Sequence, residues 1–296
     1  MEKSVLKYLE RCLGRKGDGM KMSRNHHWRG LVGWVALFMV LCCGTAWALF
    51  DGIQWPEASG EAVNTADRLT IDYSHADLGY VMVHGPSTSQ GLKLQVTKDG
   101  GGLNYDINGN GDWEVIPLQF GEGNYNFGLF LHASGTKYTS GGQMSVSVKF
   151  EDPNSVYRIP NQYVYYVQET PAVAKSDEIC EGLTTDQEKF EAVRAYIKEN
   201  YAYDFDKVNK VTTGLLPSVD YAWEHGMGIC QDLAALAACM LRVQGVPTRL
   251  DIGYVNGNYY HAWNTVILDG QMVQYDPTAD VSSIPLDSAY TLQRWY

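Results

Sequence analysis

The stretch that most constrains this chain is Ile229 to Gln244, which reads Ile-Cys-Gln-Asp-Leu-Ala-Ala-Leu-Ala-Ala-Cys-Met-Leu-Arg-Val-Gln. It contains neither proline nor glycine and is dense in strong helix formers, so it predicts a helix. Gly226 and Gly228 interrupt the chain before it, and Gly245 with Pro247 ends it. Nearly every face of this helix is apolar, so it has no solvent side and has to be wrapped by other elements. Cys230 lies in its first turn, where unpaired N–H groups and the positive end of the helix dipole favour thiolate over thiol. The preceding glycines would leave the sulfur open to a substrate. Cys239 lies further along, where a rotation of ~100° per residue puts it on the opposite face, and it is expected in the core.

Tyr259 to Leu268 and Gln271 to Tyr275 are rich in β-branched and aromatic residues, and Asp269-Gly270 between them is a strong two-residue hairpin signal. A two-residue loop pairs Leu268 with Gln271, and counting back sets Asp276 opposite Trp263. His261 shares a face with Trp263 and is therefore the diagonal neighbour of Asp276, at a backbone distance of ~7–8 Å that a carboxylate and an imidazole can close. Asp276 is then placed to hold one ring nitrogen and leave the other aimed at Cys230, giving a nucleophile, a base and an orienting acid.

On these residues the chain resembles the transglutaminase-like superfamily, whose core is that of papain-like cysteine enzymes. The likeness runs through Gly228-Ile229-Cys230-Gln231-Asp232-Leu233-Ala234-Ala235-Leu236, Met240-Leu241-Arg242, Gly245-Val246-Pro247-Thr248-Arg249 and Gly253-Tyr254. It continues through His261-Ala262-Trp263 and Asp269-Gly270 to Asp276-Pro277-Thr278. The resemblance implies Cys230 as nucleophile, His261 as base and Asp276 as third member. It also implies acyl transfer through a thioester: cross-linking or deamidation of glutamine side chains, or hydrolysis of amide bonds. The N–H of Cys230 is the first candidate oxyanion donor. Tyr203, Gln231 and Trp263 are further candidates for binding the oxyanion or substrate, with Trp263 also shielding the pair from water.

Composition narrows the setting. The formal charge is −11, and beyond residue 48 the chain carries 15 basic and 31 acidic residues. An acidic body without a basic stripe argues against nucleic acid or an anionic membrane as partner. Arg24 and Arg29 precede an uncharged apolar run from Gly30 to Phe50 containing Ala46-Trp47-Ala48, as in a secretory signal cleaved after Ala48. An uncleaved anchor is the rival, because the run is just long enough to span. Either way the body lies outside the cytoplasm, secreted or at the cell surface. Cys180, Cys230 and Cys239 follow the signal; an odd number leaves a free thiol, and a Cys180–Cys239 bridge is one option.

From residue 49 to about 170 short alternating strands recur, such as Leu92 to Thr97, Leu129 to Ala133 and Gln143 to Phe150, separated by glycine-rich turns. This pattern predicts an antiparallel β-sandwich-like domain. Asp106-Ile107-Asn108-Gly109-Asn110-Gly111-Asp112 imitates a calcium loop, but Pro117 stands where a bidentate Glu belongs, so a hairpin turn is expected. Thr185-Asp186-Gln187-Glu188 is a capping box opening a helix with Phe190, Val193 and Ile197 on its inner stripe. Lys207 to Trp223 is expected to be a loop walling the cleft, with Tyr221 and Trp223 setting access.

The expected fold is α+β: a signal or anchor at 1–48, the sandwich at 49–170, and a transglutaminase-like (papain-like) α+β domain at 171–296. The expected function is an extracellular thiol enzyme acting on amide bonds of a peptide or protein substrate, with no cofactor and no metal. The membrane is a partner only through the N-terminal segment. The alternative is a surface binding module that keeps the fold with little or no chemistry.

Overall fold

The alternation of apolar and polar residues in the first half folds it into two four-stranded antiparallel sheets. The computed structural model describes residues 55–212, 214–282 and 289–296, so the signal or anchor reading of residues 1–48 lies outside the described residues. One sheet has the order β1 (Val63–Ala66), β2 (Leu69–Asp72), β3 (Tyr80–His84) and β6 (Trp113–Pro117). The other has β5 (Gly101–Ile107), β4 (Leu92–Lys98), β7 (Gly123–Ser134) and β8 (Lys137–Val148). Their inward residues, including Leu69, Ile71, Val81, Leu94, Tyr125 and Phe127, belong to one buried cluster, the sandwich core expected from the alternation. The Asp106–Asp112 stretch is not a hairpin turn. β5 pairs with β4 and β6 with β3, so this stretch carries the chain from one sheet to the other. Its turn residues look the same locally whichever strand follows, and only sheet packing decides the partner.

Helix α1 (Pro171–Cys180) starts with proline in its first turn. Helix α2 (Asp186–Asn200) opens on the expected capping box, Thr185 accepting from the Glu188 N–H, and buries Phe190, Val193 and Ile197. Strand β9 (Ala202–Tyr203), a short helix α3 (Phe205–Val208), α4 (Val219–His225) and β10 (Met227–Gly228) lead to α5 (Cys230–Arg242). The Lys207–Trp223 region is therefore partly helical rather than all loop. A third antiparallel sheet follows in the order β13 (Gln271–Tyr275), β12 (Tyr259–Leu268), β11 (Thr248–Val255) and β14 (Tyr290–Trp295), with the short helix α6 (Pro277–Val281) before its last strand.

Helix α5 is enclosed as its composition demands: Asp232 to Arg242 are all buried, against β11 and β12 on one side and α1, α2, α4 and α6 on others. Each of its fully buried leucines contributes roughly 1.5–3 kcal/mol of transfer free energy. Arg242 ends the helix fully buried and spends its guanidinium on three backbone carbonyls. Nη1 donates to Ile159 at 2.6 Å, Nε to Thr248 at 2.8 Å and Nη2 to Tyr296 at 2.9 Å. It thereby ties the segment after the sandwich to the third sheet. Tyr105 packs edge-on against Tyr296, and the core runs without a break through both halves. Among the described residues no helix is long and apolar enough to cross a membrane.

Candidate active site

Asp269 and Gly270 both have positive φ, 48° and 77°, the conformation a two-residue hairpin turn requires. Leu268 pairs with Gln271 and the ladder runs back to Asn264 with Tyr275, which is the register expected from the turn. The ladder stops there. Asp276 leaves the sheet to cap α6, its Oδ1 accepting from the Thr278 N–H at 2.9 Å. Its Oδ2 accepts from His261 Nε2 at 2.7 Å and from the Tyr290 hydroxyl at 2.8 Å. Three donors thus fix the carboxylate.

His261 sits on β12 opposite Gly253, buried, with its ring stacked on Trp263 at 6.4 Å and 18°. A Cβ on Gly253 would meet the Thr291 carbonyl at 2.0 Å, so glycine there is what lets β14 close on β11 and bring Tyr290 to Asp276. Nε2 is engaged by Asp276, which leaves the other ring nitrogen free for Cys230, with which His261 shares a cavity. Burial alone would lower the pKa of His261. The hydrogen bond to Asp276 and then the interaction with Cys230 outweigh it and push the imidazole up to about 9. The ring therefore favours imidazolium at neutral pH.

Cys230 is the first residue of α5 and half-buried; Cys180 and Cys239 are buried, and all three are free thiols, so Cys180 and Cys239 form no bridge. Burial raises the Cys239 thiol far out of the reactive range, in keeping with its expected place in the core. The N–H of Cys230, like every first-turn N–H, has no partner within its helix. The start of the helix is held from below by Asp232, which is completely buried. Its carboxylate accepts from the N–H groups of Ile229 at 3.1 Å and Ser218 at 3.0 Å, and from Lys207 Nζ at 2.7 Å. The same Lys207 ammonium lies 3.5 Å above the Tyr221 ring, and the Tyr221 hydroxyl donates to Asp204 at 2.6 Å. Gly228 packs against this network: a Cβ there would come within 2.9 Å of Asp232 Cβ. Its glycine serves that contact rather than access to the sulfur.

A cavity of about 390 Å³ opens over Cys230 and His261, walled by Leu215 and Leu216 of the preceding loop and by Tyr260 and Arg294 of the sheet. The loop before α4 does wall the cleft, but Tyr221 and Trp223 do not line it. Gln231 lines it and donates from Nε2 to the Leu215 carbonyl at 3.1 Å, pinning that wall. Trp263 is buried behind His261 with Tyr290 edge-on at 4.9 Å, where it closes the rear of the imidazole. Tyr203 pairs in register with Gly228, and burial, then the neighbouring Cys230 and Asp232, push its phenol up to about 12. It stays protonated and keeps an O–H to donate. Asp232 and Tyr290 had no role assigned by sequence. An acid at the third position of a helix signals the first; nothing local signals the second. Among the described residues no group of three or more His, Cys, Asp or Glu is placed to hold a metal ion.

Residues 173–277, which include Cys230, His261 and Asp276, match the model of the transglutaminase-like superfamily. Among solved structures the chain is similar to a candidate cysteine protease from Cytophaga hutchinsonii, at 17% identity over 68% of this chain and 72% of that one, with a TM-score of 0.37. It is similar to the periplasmic domain of TgpA from Pseudomonas aeruginosa at 18% identity, 77% of each chain and a TM-score of 0.33. A TGase structure is matched at 17% identity over 40% of this chain and 32% of that one, with a TM-score of 0.33. No curated protein matches.

Proposed function

We propose, taking residues 173–277 as a transglutaminase-like domain, that this chain is a thiol enzyme acting on amide groups of peptides or proteins. One juxtaposition carries the reading. Cys230 begins a buried helix and shares one cavity with His261, whose Nε2 is held by Asp276 at 2.7 Å. The Cys230 thiolate attacks the amide carbonyl, and the oxyanion is met by the Cys230 N–H and the Tyr203 hydroxyl. His261 gives its proton to the leaving nitrogen as the C–N bond breaks, leaving a thioester on Cys230. An incoming water or amine then loses a proton to His261 and attacks the thioester, releasing the thiolate. Asp276 keeps Nε2 protonated and fixes the ring, with Tyr290 steadying the carboxylate. With water as acceptor the result is deamidation or peptide hydrolysis, the outcome favoured here; with a lysine amine it is cross-linking. The apolar run after Arg24 and Arg29 supports action outside the cytoplasm.

The test is alkylation of the purified protein with iodoacetamide from pH 5 to 9, each cysteine mapped by mass, followed by incubation with glutamine peptides. Rapid labelling of Cys230 near pH 6, slowed in His261→Ala, together with a mass gain of about 1 Da (NH₂ to OH) or a cleaved product, is expected. If Cys230 labels no faster than an ordinary thiol of pKa ~8.5, the chain is a binding module with the fold and without the chemistry.

A further inference from the structure

A second and larger cavity, of about 640 Å³, lies beside the cleft and is used by nothing in the mechanism above. It is built where the two halves meet. Trp113 and Glu114 of β6 and the adjoining Asp112 form one side, Asn161 and Tyr165 of the linking segment another, and Leu216 with Pro217 the third. Leu216 lines both cavities and stands between them. Several apolar side chains here face solvent: Tyr165 is 60% exposed, Trp113 39% and Leu216 38%. Asn161, by contrast, is completely buried. Its Oδ1 accepts from the N–H groups of Tyr163 at 2.9 Å and Val164 at 3.0 Å, while its Nδ2 has no partner among the described residues. That amide lies behind the cavity wall and braces the linking segment rather than facing a ligand. No Lys, Arg or His lines the cavity, and its two carboxylates, Asp112 and Glu114, give it a single sign of charge. Burial already pushes the Glu114 carboxyl up, so a cation beside it is favoured.

We propose that this cavity is a substrate subsite that takes the peptide segment flanking the reacting amide, holding an apolar side chain against Trp113 and Tyr165 and a neighbouring lysine or arginine at Glu114 and Asp112. The proposal rests on the amide-acting reading and specifies its substrate: peptides with an apolar–basic pair beside the target residue, passing over Leu216. An anionic segment is repelled, and a segment of glycine alone leaves the aromatic platform uncovered.

The experiment separates this proposal from that reading by measuring binding without turnover. The full chain carrying Cys230→Ala is titrated by calorimetry with blocked nonapeptides. Each has a central glutamine flanked on both sides by leucine–arginine, leucine–glutamate or glycine–glycine pairs. The leucine–arginine peptide is expected to bind about tenfold more tightly than the other two. That advantage should be lost in Trp113→Ala and in Glu114→Gln, both at partly exposed positions. Equal binding of the three peptides, or unchanged preference in the Trp113 and Glu114 variants, overturns the subsite. So does binding of a neutral oligosaccharide such as cellotetraose in place of the peptides. Preference without any turnover by the intact thiol would strike the enzymatic reading alone, and turnover without preference would strike the subsite alone.

Discussion

Asp276→Asn tests the core of the site with no substrate at all. The substitution preserves Oδ1 as the acceptor for the Thr278 N–H, so the cap of α6 survives, but it removes the carboxylate from His261. In the intact protein the imidazole is raised to about 9, against the burial that would lower it. Without the carboxylate, burial remains and the principal raising partner is gone, so the ring falls to its ordinary ~6.5 or below. At pH 7.5 a ring titrating at about 9 is ~97% protonated and one at ~6.5 only ~9%, a roughly tenfold loss of the cation that faces Cys230. The second-order rate of iodoacetamide alkylation at Cys230 should fall about tenfold at pH 7.5, and by little at pH 5.5 where both rings are charged. Circular dichroism confirms that the fold is retained. An Asp276→Asn protein that labels at the parent rate at pH 7.5 would refute the coupling of carboxylate, imidazole and thiol.

Three further outcomes are expected. The folded-state value of His261 lies above its unfolded ~6.5, so its contribution to stability is fully present below that pH and is lost as pH rises through about 9. The melting temperature should decline between pH 6.5 and 9, and decline less in Asp276→Asn. Asp232→Ala orphans the N–H groups of Ile229 and Ser218 and frees Lys207, so it should cost about 2–4 kcal/mol in urea unfolding. Leu233→Ala, fully buried one residue along, supplies a purely apolar comparison for thiol reactivity. Gly253→Ala puts a methyl group into the Thr291 carbonyl and forces β14 away, at a cost of about 1–3 kcal/mol. Cys230 alkylation should slow with it as Tyr290 leaves Asp276, whereas Tyr290→Phe should slow alkylation with β14 still paired to β11.

Much of the site was legible because its decisive features are local. Helix formers without a break put Cys230 at a helix start, and Asp269-Gly270 set a register that carried His261 and Asp276 to within reach. A two-residue turn fixes pairing by counting, and apolarity on every face forces a helix inside; both are short-range facts of the backbone. What tertiary structure alone decided are meetings between distant residues. Tyr290 reaches Asp276 only because β14 returns beside β11, and Gln119 of the sandwich binds the Trp295 carbonyl from the far end of the sequence. The partner of the strand after Asn108–Asp112, the three carbonyls around Arg242 and the cavity between Trp113 and Leu216 are of the same kind. Periodicity states which face of an element is apolar, while the identity of what that face meets depends on how the elements pack. That is why the placement of Cys230, His261 and Asp276 could be read along the chain, and the cavity beside them could not.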